Sequence, residues 1–177
     1  MSNYAKIKNF DIANGDGIGV SIFLSGCNIR CRGCFNKEIW DVNAGQPFTS
    51  ETLDCLMELC GNEHINHLSI LGGDGLTPHN QETTLLICKT FKKLYPEKKL
   101  YLWTGYDIKF NTLFDCLKNN EKLGFVGQII LLCDIVVDQP FIEKEKDLTL
   151  KWRGSKNQRV ISVQQSLAQK KVVLYDE

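Results

Sequence analysis

Three cysteines stand close together in the stretch SGCNIRCRGCFN, which runs from Ser25 to Asn36. They are Cys27, Cys31 and Cys34, spaced C-x3-C-x2-C, and the residues between them are mostly polar or charged. Thiolates bind soft metals, chiefly zinc and the irons of iron–sulfur clusters. Because packing alone does not explain three thiols in polar surroundings, the pattern predicts that these cysteines are metal ligands.

The number of thiols bears on the kind of metal site. A closed structural zinc site has four ligands, so zinc here would need a distant cysteine or histidine as well. A four-iron cluster normally has four cysteines, and with only three of them one iron keeps an open coordination position for a reactant. We therefore predict a [4Fe–4S] cluster on Cys27, Cys31 and Cys34. A non-catalytic zinc-binding module is the alternative.

The other five cysteines are scattered through apolar sequence. Free cysteine behaves as a small buried hydrophobe. We therefore predict that these residues fill the core: Cys55, Cys60, Cys88, Cys116 and Cys133. Cys55 and Cys60 are five apart in a predicted helix, so they should point to different faces and not act as a ligand pair.

The elements that must position the cysteines are short buried strands alternating with amphipathic helices. The predicted strands are Gly19–Gly26, His67–Gly73, Lys99–Gly105 and at least one within Gln128–Asp138. The predicted helices are Ser50–Gly61, Asn80–Leu94 and Lys109–Asn120. Such alternation is typical of βα units and of a parallel sheet.

Three informative loops follow successive predicted strands. The loop of Ser25–Asn36, called here the cysteine loop, follows the first strand. The sequence GGDG at Gly72–Gly75 follows the second strand, and TGY at Thr104–Tyr106 follows the third. Because ligands of parallel α/β sheets collect at the carboxyl ends of the strands, we expect the three loops to form one site.

Length and composition predict one globular domain. The chain has 177 residues, enough for a sizeable core. Its 21 basic residues balance 21 acidic ones, so nothing indicates a nucleic-acid partner. No stretch is long enough to span a bilayer, and the first residues lack the apolar core of a secretory signal. We therefore expect a cytoplasmic protein without a membrane partner, whose thiols stay reduced.

The cysteine motif and its surroundings resemble a known family. With the aromatic Phe35 directly after the third cysteine, the motif resembles the signature of radical S-adenosylmethionine enzymes. Over about residues 10–163 the chain resembles the activating proteins of anaerobic ribonucleoside-triphosphate reductase. That resemblance is carried by DIANGDGIGVSIFLSGCNIRCRGCFNKEIWDVNAGQPFT, LSILGGDGL, LWTGY and DLTLKWRGSKNQRVI.

The resemblance implies a fold and an activity. The fold would be a single radical S-adenosylmethionine domain over residues 1–177, an incomplete and open parallel (β/α) barrel. The open iron of a [4Fe–4S] cluster would chelate S-adenosylmethionine, and one electron would cleave it to methionine and a 5′-deoxyadenosyl radical. That radical would take a hydrogen atom from a glycine of the large reductase subunit. The cofactors would carry this chemistry, so no catalytic acid or base is expected.

Partners and binding residues follow from the same resemblance. The implied partners are the large subunit of the anaerobic reductase and a one-electron donor such as flavodoxin. Gly33 and Phe35 would line the S-adenosylmethionine site, and Gly72, Gly73 and Asp74 match the family's glycine-glycine-acid motif. Glycines there let the backbone approach the ligand, and a carbonyl or carboxylate would accept a hydrogen bond from the methionine ammonium.

Two positions depart from the family pattern. Gly75 stands where the family usually has proline, and Gln139 stands where it has glycine. A side chain at position 139 matters only if the backbone there needs a positive φ. Pro140, which follows, favours extended geometry instead. The sequence alone does not decide whether the backbone at Gln139 has a positive φ or an extended conformation.

Two catalytic alternatives also remain. The first is an activating enzyme of another glycyl-radical enzyme, such as pyruvate formate-lyase, although that family tends to be longer and its later motifs are not recognised here. The second is a radical enzyme that acts on a small molecule. The chain leaves few residues with which to enclose a substrate pocket, which argues against the second alternative.

Overall fold

The computed structural model describes residues 2–119 and 121–175. Its strands are β1 (Asn3–Asp11), β2 (Gly19–Leu24), β3 (Gln46–Pro47), β4 (His67–Gly72), β5 (Lys99–Trp103), β6 (Ile135–Asp138) and β7 (Arg159–Ser162). Its α-helices are α1 (Ser50–Cys60), α2 (Gln81–Leu94), α3 (Phe110–Lys118), α4 (Phe125–Leu132) and α5 (Val163–Gln169). Single 3₁₀ turns lie at Lys37–Ile39 and Glu143–Glu145.

All seven strands form one mixed sheet in the order β3-β1-β2-β4-β5-β6-β7. Strands β2, β4, β5 and β6 run parallel, while β1, β3 and β7 pair antiparallel at the two sides. The parallel strands follow one another in chain order, with helices in each connection. Their carboxyl ends therefore meet at one edge of the sheet. The α/β prediction is confirmed, and the expectation of a parallel sheet holds for its centre only.

The main core lies between the sheet and its helices. Side chains alternate along each strand, so every second residue faces the helices. Strand β2 contributes Val20, Ile22 and Leu24 to this core, and their parallel neighbours in β4 include Leu68 and Ile70. All five side chains are fully buried, and they pack with apolar residues from the helices.

The opposite face of the sheet is covered by residues that lie late in the sequence, among them Trp152 and Tyr175. Tyr101 and Trp103 of β5 lie on this face, together with residues of β6 and β7. Trp103 Nε1 donates a hydrogen bond to the carbonyl oxygen of Trp152, at 2.7 Å. The Trp152 ring packs in turn on Tyr175, with centroids 5.7 Å apart. Aromatic side chains thus cover this face of the sheet.

Most predicted elements are present, with shorter bounds. Helix α1 begins after Thr49, whose side chain accepts from Thr52 N in a capping box. The helix predicted at Lys109–Asn120 is observed as α3, and Asn120 itself lies outside the described residues. Strand β1 and helices α4 and α5 were not predicted. Phe125–Leu132 is an apolar run that periodicity alone does not distinguish from a buried strand.

The scattered cysteines divide into two groups. Cys60, Cys88 and Cys133 are buried as predicted, and burial raises the pKa of the Cys60 thiol to about 12. The prediction is wrong for Cys55, which is exposed because it lies on the solvent side of α1, and Cys116 is only half-buried. Within the described residues, no helix is long and apolar enough to cross a membrane.

Candidate functional site

The cysteine loop leaves the carboxyl end of β2 through a tight turn. Gly26 has a φ of +92°, a conformation that glycine adopts without strain. Its backbone N–H donates to the carbonyl oxygen of Ile39 at 2.8 Å, and Cys27 N donates to Trp40 O at 3.0 Å. These bonds fold the loop back on itself. All three thiols of the motif consequently face the edge where the parallel strands end.

The three thiols are free, and they share one cleft. Backbone N–H groups point at their sulfurs: Asn36 N lies 3.3 Å from Cys34 Sγ, and Phe141 N donates toward Cys31. Burial raises the pKa of Cys27 and Cys31, while N–H donors act in the opposite direction. These donors stabilise the thiolate form, which is the form that ligates a metal.

The donor set fits an iron–sulfur cluster. The described residues contain no group of three or more His, Cys, Asp or Glu placed to hold a single metal ion. A cluster differs from a single ion because each iron takes its own thiolate, so the sulfurs need not converge on one point. Three free thiols on one open cleft, with N–H donors to each, meet that requirement.

The loop after β4 lies in backbone contact with the cysteine loop. Gly72 has a φ of +102°, which turns the chain toward β2. Gly73 N donates to Leu24 O at 2.7 Å, and Asp74 N donates to Gly26 O at 2.9 Å. A Cβ atom on Gly73 would collide with the Gly26 carbonyl. The contact between the two loops therefore requires these glycines, independently of any ligand.

Asp74 joins the ends of β4 and β5. Its carboxylate accepts hydrogen bonds from Thr104 Oγ1 at 3.0 Å to each oxygen, from Gly105 N at 2.7 Å and from Leu76 N at 2.8 Å. The side chain is only 1% exposed. Burial raises the pKa of this carboxyl to about 6, although the hydrogen bonds favour the charged form. The Asp74 carboxylate thus already has hydrogen-bond donors from the protein on both of its oxygens.

The three loops expected at one edge of the sheet do line one cleft. Its walls come from the cysteine loop, the Gly72–Asp74 loop, Trp103–Gly105 and residues 139–158. The enclosed space is about 160 Å³, below the usual range for a small-molecule site, so a ligand of that class must extend over the open side. Larger clefts of about 530 and 830 Å³ lie beside α3. Tyr106, the last residue of the TGY loop, lines the first of them, whereas the three cysteines and Gly72–Asp74 line neither.

Gly33 and Phe35 lie outside the lining of this cleft. Gly33 has a φ of +76°, and a Cβ there would lie 3.0 Å from Glu143 Oε1. Phe35 is 60% exposed and packs against Phe141, with ring centroids 5.6 Å apart. Both residues therefore lie against the segment of residues 139–158.

Residues 139–158 cover one side of the cleft. Gln139, Phe141 and Gln158 line it, and Gln158 Nε2 donates to Gln139 O at 3.2 Å. Gln139 has a φ of +74°. The position therefore does require a positive φ, in spite of the proline that follows. Only the density of polar donors in WRGSKNQR could have pointed to this segment.

The second departure from the family pattern lies away from the cleft. A Cβ on Gly75 would lie 3.1 Å from Thr84 Oγ1 and 3.2 Å from Leu102 Cδ1. Thr84 Oγ1 also donates to the Gly75 carbonyl at 2.9 Å. Any larger residue at position 75 would therefore need these neighbours to shift by a few tenths of an ångström.

The α/β fold and the three-thiol cleft define a candidate iron–sulfur protein. The family described as "4Fe-4S single cluster domain" matches residues 13–161. The chain is 36% identical over 162 residues to the anaerobic ribonucleoside-triphosphate reductase-activating protein of Enterobacteria phage T4, across 90% of this chain and 94% of that protein. The protein of the same name from Escherichia coli K12 is 36% identical over 160 residues, across 89% and 97% of the two chains.

A third relative is more distant but covers a similar share of the chain. The anaerobic ribonucleoside-triphosphate reductase-activating protein of Vibrio cholerae serotype O1 is 33% identical over 158 residues, across 88% of this chain and 95% of that protein. The chain belongs to the family of anaerobic ribonucleoside-triphosphate reductase-activating proteins.

Proposed function

We propose that this chain is an activating enzyme that cleaves S-adenosylmethionine reductively and generates a glycyl radical on anaerobic (class III) ribonucleoside-triphosphate reductase. The observation that carries the proposal is the cleft in which Cys27, Cys31 and Cys34 meet the Gly72–Asp74 loop. Family membership supports the same activity, because the relatives are named as activating proteins of that reductase.

Cys27, Cys31 and Cys34 are the proposed ligands of a [4Fe–4S] cluster. When bound, the cluster supplies one electron for reductive cleavage and one iron without a cysteine ligand for the amino and carboxylate groups of S-adenosylmethionine. The chain supplies N–H donors to the thiolates, among them Asn36 N and Phe141 N. Such donors stabilise negative charge on the sulfurs and tune the reduction potential.

Backbone groups of the Gly72–Asp74 loop are the proposed contacts for the methionine end of S-adenosylmethionine, because this loop lines the cleft beside the three thiols. The Asp74 carboxylate already accepts hydrogen bonds from Thr104 and Gly105. Its proposed contribution is therefore to hold the ends of β4 and β5 together beneath the ligand. Gly33 and Phe35 would border the ligand from the outer side of the cysteine loop.

The proposed architecture is a single domain over residues 1–177, with an incomplete, open (β/α) barrel. Four parallel strands in chain order, with their carboxyl ends at the cleft, support it. Strands β3 and β7 form the two free edges of the sheet. An open side suits a substrate that is a glycine in the backbone of another protein, here the large reductase subunit. A one-electron donor such as flavodoxin would complete the system.

The proposal is tested by mixing the reduced, reconstituted chain with S-adenosylmethionine and the large reductase subunit without oxygen. We expect 5′-deoxyadenosine to form and a glycyl doublet to appear in the electron paramagnetic resonance spectrum. Both should be absent in a variant in which Cys27, Cys31 and Cys34 are all alanine. Pyruvate formate-lyase serves as the control partner.

Each other outcome points to a different conclusion. A doublet on pyruvate formate-lyase and not on the reductase would leave an activating enzyme with another partner. Formation of 5′-deoxyadenosine without a protein radical would favour a small-molecule substrate. If neither product forms although the chain holds four irons, the proposed activity is wrong.

A further inference from the structure

Asn80 occupies the N-cap position of α2 but does not cap the helix. Asparagine is favoured at this position because its side-chain oxygen usually accepts from a backbone N–H of the first helical turn. In α2 the Asn80 side chain makes no such bond, and its backbone is already helical, with φ of −98° and ψ of −15°. The residue is fully buried. Its side chain therefore has another role.

The Asn80 amide instead donates to the backbone of two loops at once. Nδ2 lies 2.8 Å from Ser25 O and 3.3 Å from Gly26 O, both directly before the first cysteine of the motif. It also lies 3.0 Å from Asp74 O, in the loop after β4. One amide thus binds the start of the cysteine loop and the end of the Gly72–Asp74 loop.

The regular strand pairing stops just before these carbonyls, because the parallel ladder of β2 and β4 ends at Leu24 and Gly72. Beyond it, Gly26 O accepts from Asp74 N at 2.9 Å and Asp74 O accepts from Thr77 N at 3.2 Å. For the buried Ser25 carbonyl the donor is the Asn80 amide, and a buried carbonyl without a donor costs free energy. Asn80 supplies a side-chain donor to both loops beyond the ladder, and its position on a packed helix fixes where they lie.

We propose that Asn80 is a positioning residue for S-adenosylmethionine binding, which sets the distance between the Gly72–Asp74 loop and the cysteine loop. The inference rests on the proposed function, which assigns the methionine end to one loop and the cluster to the other. A ligand that bridges two loops binds tightly only when both are held at the spacing it needs. Asn80 touches neither the ligand nor the cluster in this proposal.

Two variants and one control distinguish a positioning role of Asn80 from a general effect on the stability of the fold. Asn80→Ala removes the donor. Asn80→Asp keeps the size of the side chain but places a carboxylate oxygen against three carbonyl oxygens. The control is Thr49→Ala, which removes the side-chain cap of α1, where Thr49 Oγ1 accepts from Thr52 N at 3.3 Å. Thr49 does not line the cleft.

The first measurement is amide hydrogen exchange on the chain without cofactors. Gly73 N donates to Leu24 O at the end of β2, and Asp74 N donates to Gly26 O in the cysteine loop. We expect these two amides to exchange at least tenfold faster in Asn80→Ala than in the wild type, and to be unchanged in Thr49→Ala. Wild-type protection of both amides in Asn80→Ala would overturn the proposal without reference to any cofactor.

The second measurement uses the reconstituted, reduced chain. We expect both Asn80 variants to retain the wild-type iron content but to bind S-adenosylmethionine at least tenfold more weakly in anaerobic calorimetry, with the larger loss in Asn80→Asp. Thr49→Ala should bind like the wild type. If Asn80→Ala does not fold, Asn80→Ser, whose hydroxyl is a single, shorter donor without charge, decides. Wild-type affinity in a folded Asn80 variant would overturn the proposal.

The two proposals fail in different ways. If the wild type itself holds four irons and does not bind S-adenosylmethionine, the proposed function is wrong, and with it the ligand that Asn80 is proposed to serve. If the wild type binds and the Asn80 variants bind equally well, only the positioning role is wrong.

Discussion

A Cβ atom on Gly73 would lie 2.5 Å from the carbonyl oxygen of Gly26. This distance is far inside van der Waals contact, so no side chain fits between the two loops. The contact joins the loop that carries the metal-ligand motif to the loop after the neighbouring strand. The glycine at position 73 is consequently a structural requirement of the site, whatever ligand the site binds.

We expect Gly73→Ala to destabilise the chain by about 1–3 kcal/mol, because backbone on both sides must move to admit the methyl group. Urea unfolding of the cofactor-free protein measures the change. Gly124→Ala is the matched control, since among the described residues no atom beyond its chain neighbours lies within 4 Å of a Cβ placed there, and it should cost less than about 1 kcal/mol. Equal effects of the two substitutions would show that the contact between the loops is not tight.

Cys31→Ala should abolish the four-iron cluster, since three thiols are the only protein ligands proposed for it. Iron and sulfide analysis after anaerobic reconstitution measures the loss. Cys55→Ala is the control, because Cys55 is an exposed free thiol on α1 and should leave the iron content unchanged. Four irons retained in Cys31→Ala would contradict the ligand assignment.

Asp74 should make the stability of the chain depend on pH in an unusual direction. Its pKa is raised from 3.8 to about 6, so the folded state keeps a proton that the unfolded state has already released. Stability therefore falls as pH rises through this window, by at most about 3 kcal/mol. Relative to the wild type, Asp74→Asn should gain stability between pH 4 and pH 6. A constant difference across these pH values would contradict the raised pKa.

Gln139→Gly should stabilise the chain. A non-glycine residue at positive φ costs about 1–2 kcal/mol, and glycine would remove this strain. Glycine also has more conformational freedom in the unfolded state, which lowers stability by about 0.5–1 kcal/mol and offsets part of the gain. We expect a net increase of about 0.5–1 kcal/mol in the free energy of unfolding. Gln46→Gly, on an exposed strand without positive φ, should lower it by a similar amount. A loss of stability in Gln139→Gly would mean that its side chain contributes more than the strain costs.

The position of the site could be predicted because it depends on connectivity. Parallel strands in successive βα units bring their carboxyl ends to one edge, so loops that follow each strand must meet there. The cysteine loop, Gly72–Asp74 and Thr104–Gly105 met this expectation. The antiparallel β1 was missed because its lysine-rich sequence, largely exposed at one side of the sheet, lacks the apolar signal of the central strands.

The role of Asn80 could not be predicted, because asparagine before a helix is the usual N-cap. Only the fold shows that its amide faces Ser25 and Asp74 instead of the first turn of α2. The backbone of Gln139 is a second example. Its positive φ follows from the path of residues 139–158 across the cleft, whereas the local sequence, with Pro140 next, favours an extended conformation.

The walls of the cleft come from chain segments that are synthesised far apart in time. Cys27 lies in the first turn after β2, whereas Phe141 and Gln158 lie much further along the sequence. During translation the three thiols therefore emerge long before the segment that covers them and supplies the Phe141 N–H to Cys31. Such long-range closure is slow compared with local folding. We expect cluster insertion to be a late event, which follows the folding of residues 139–158 over the cleft.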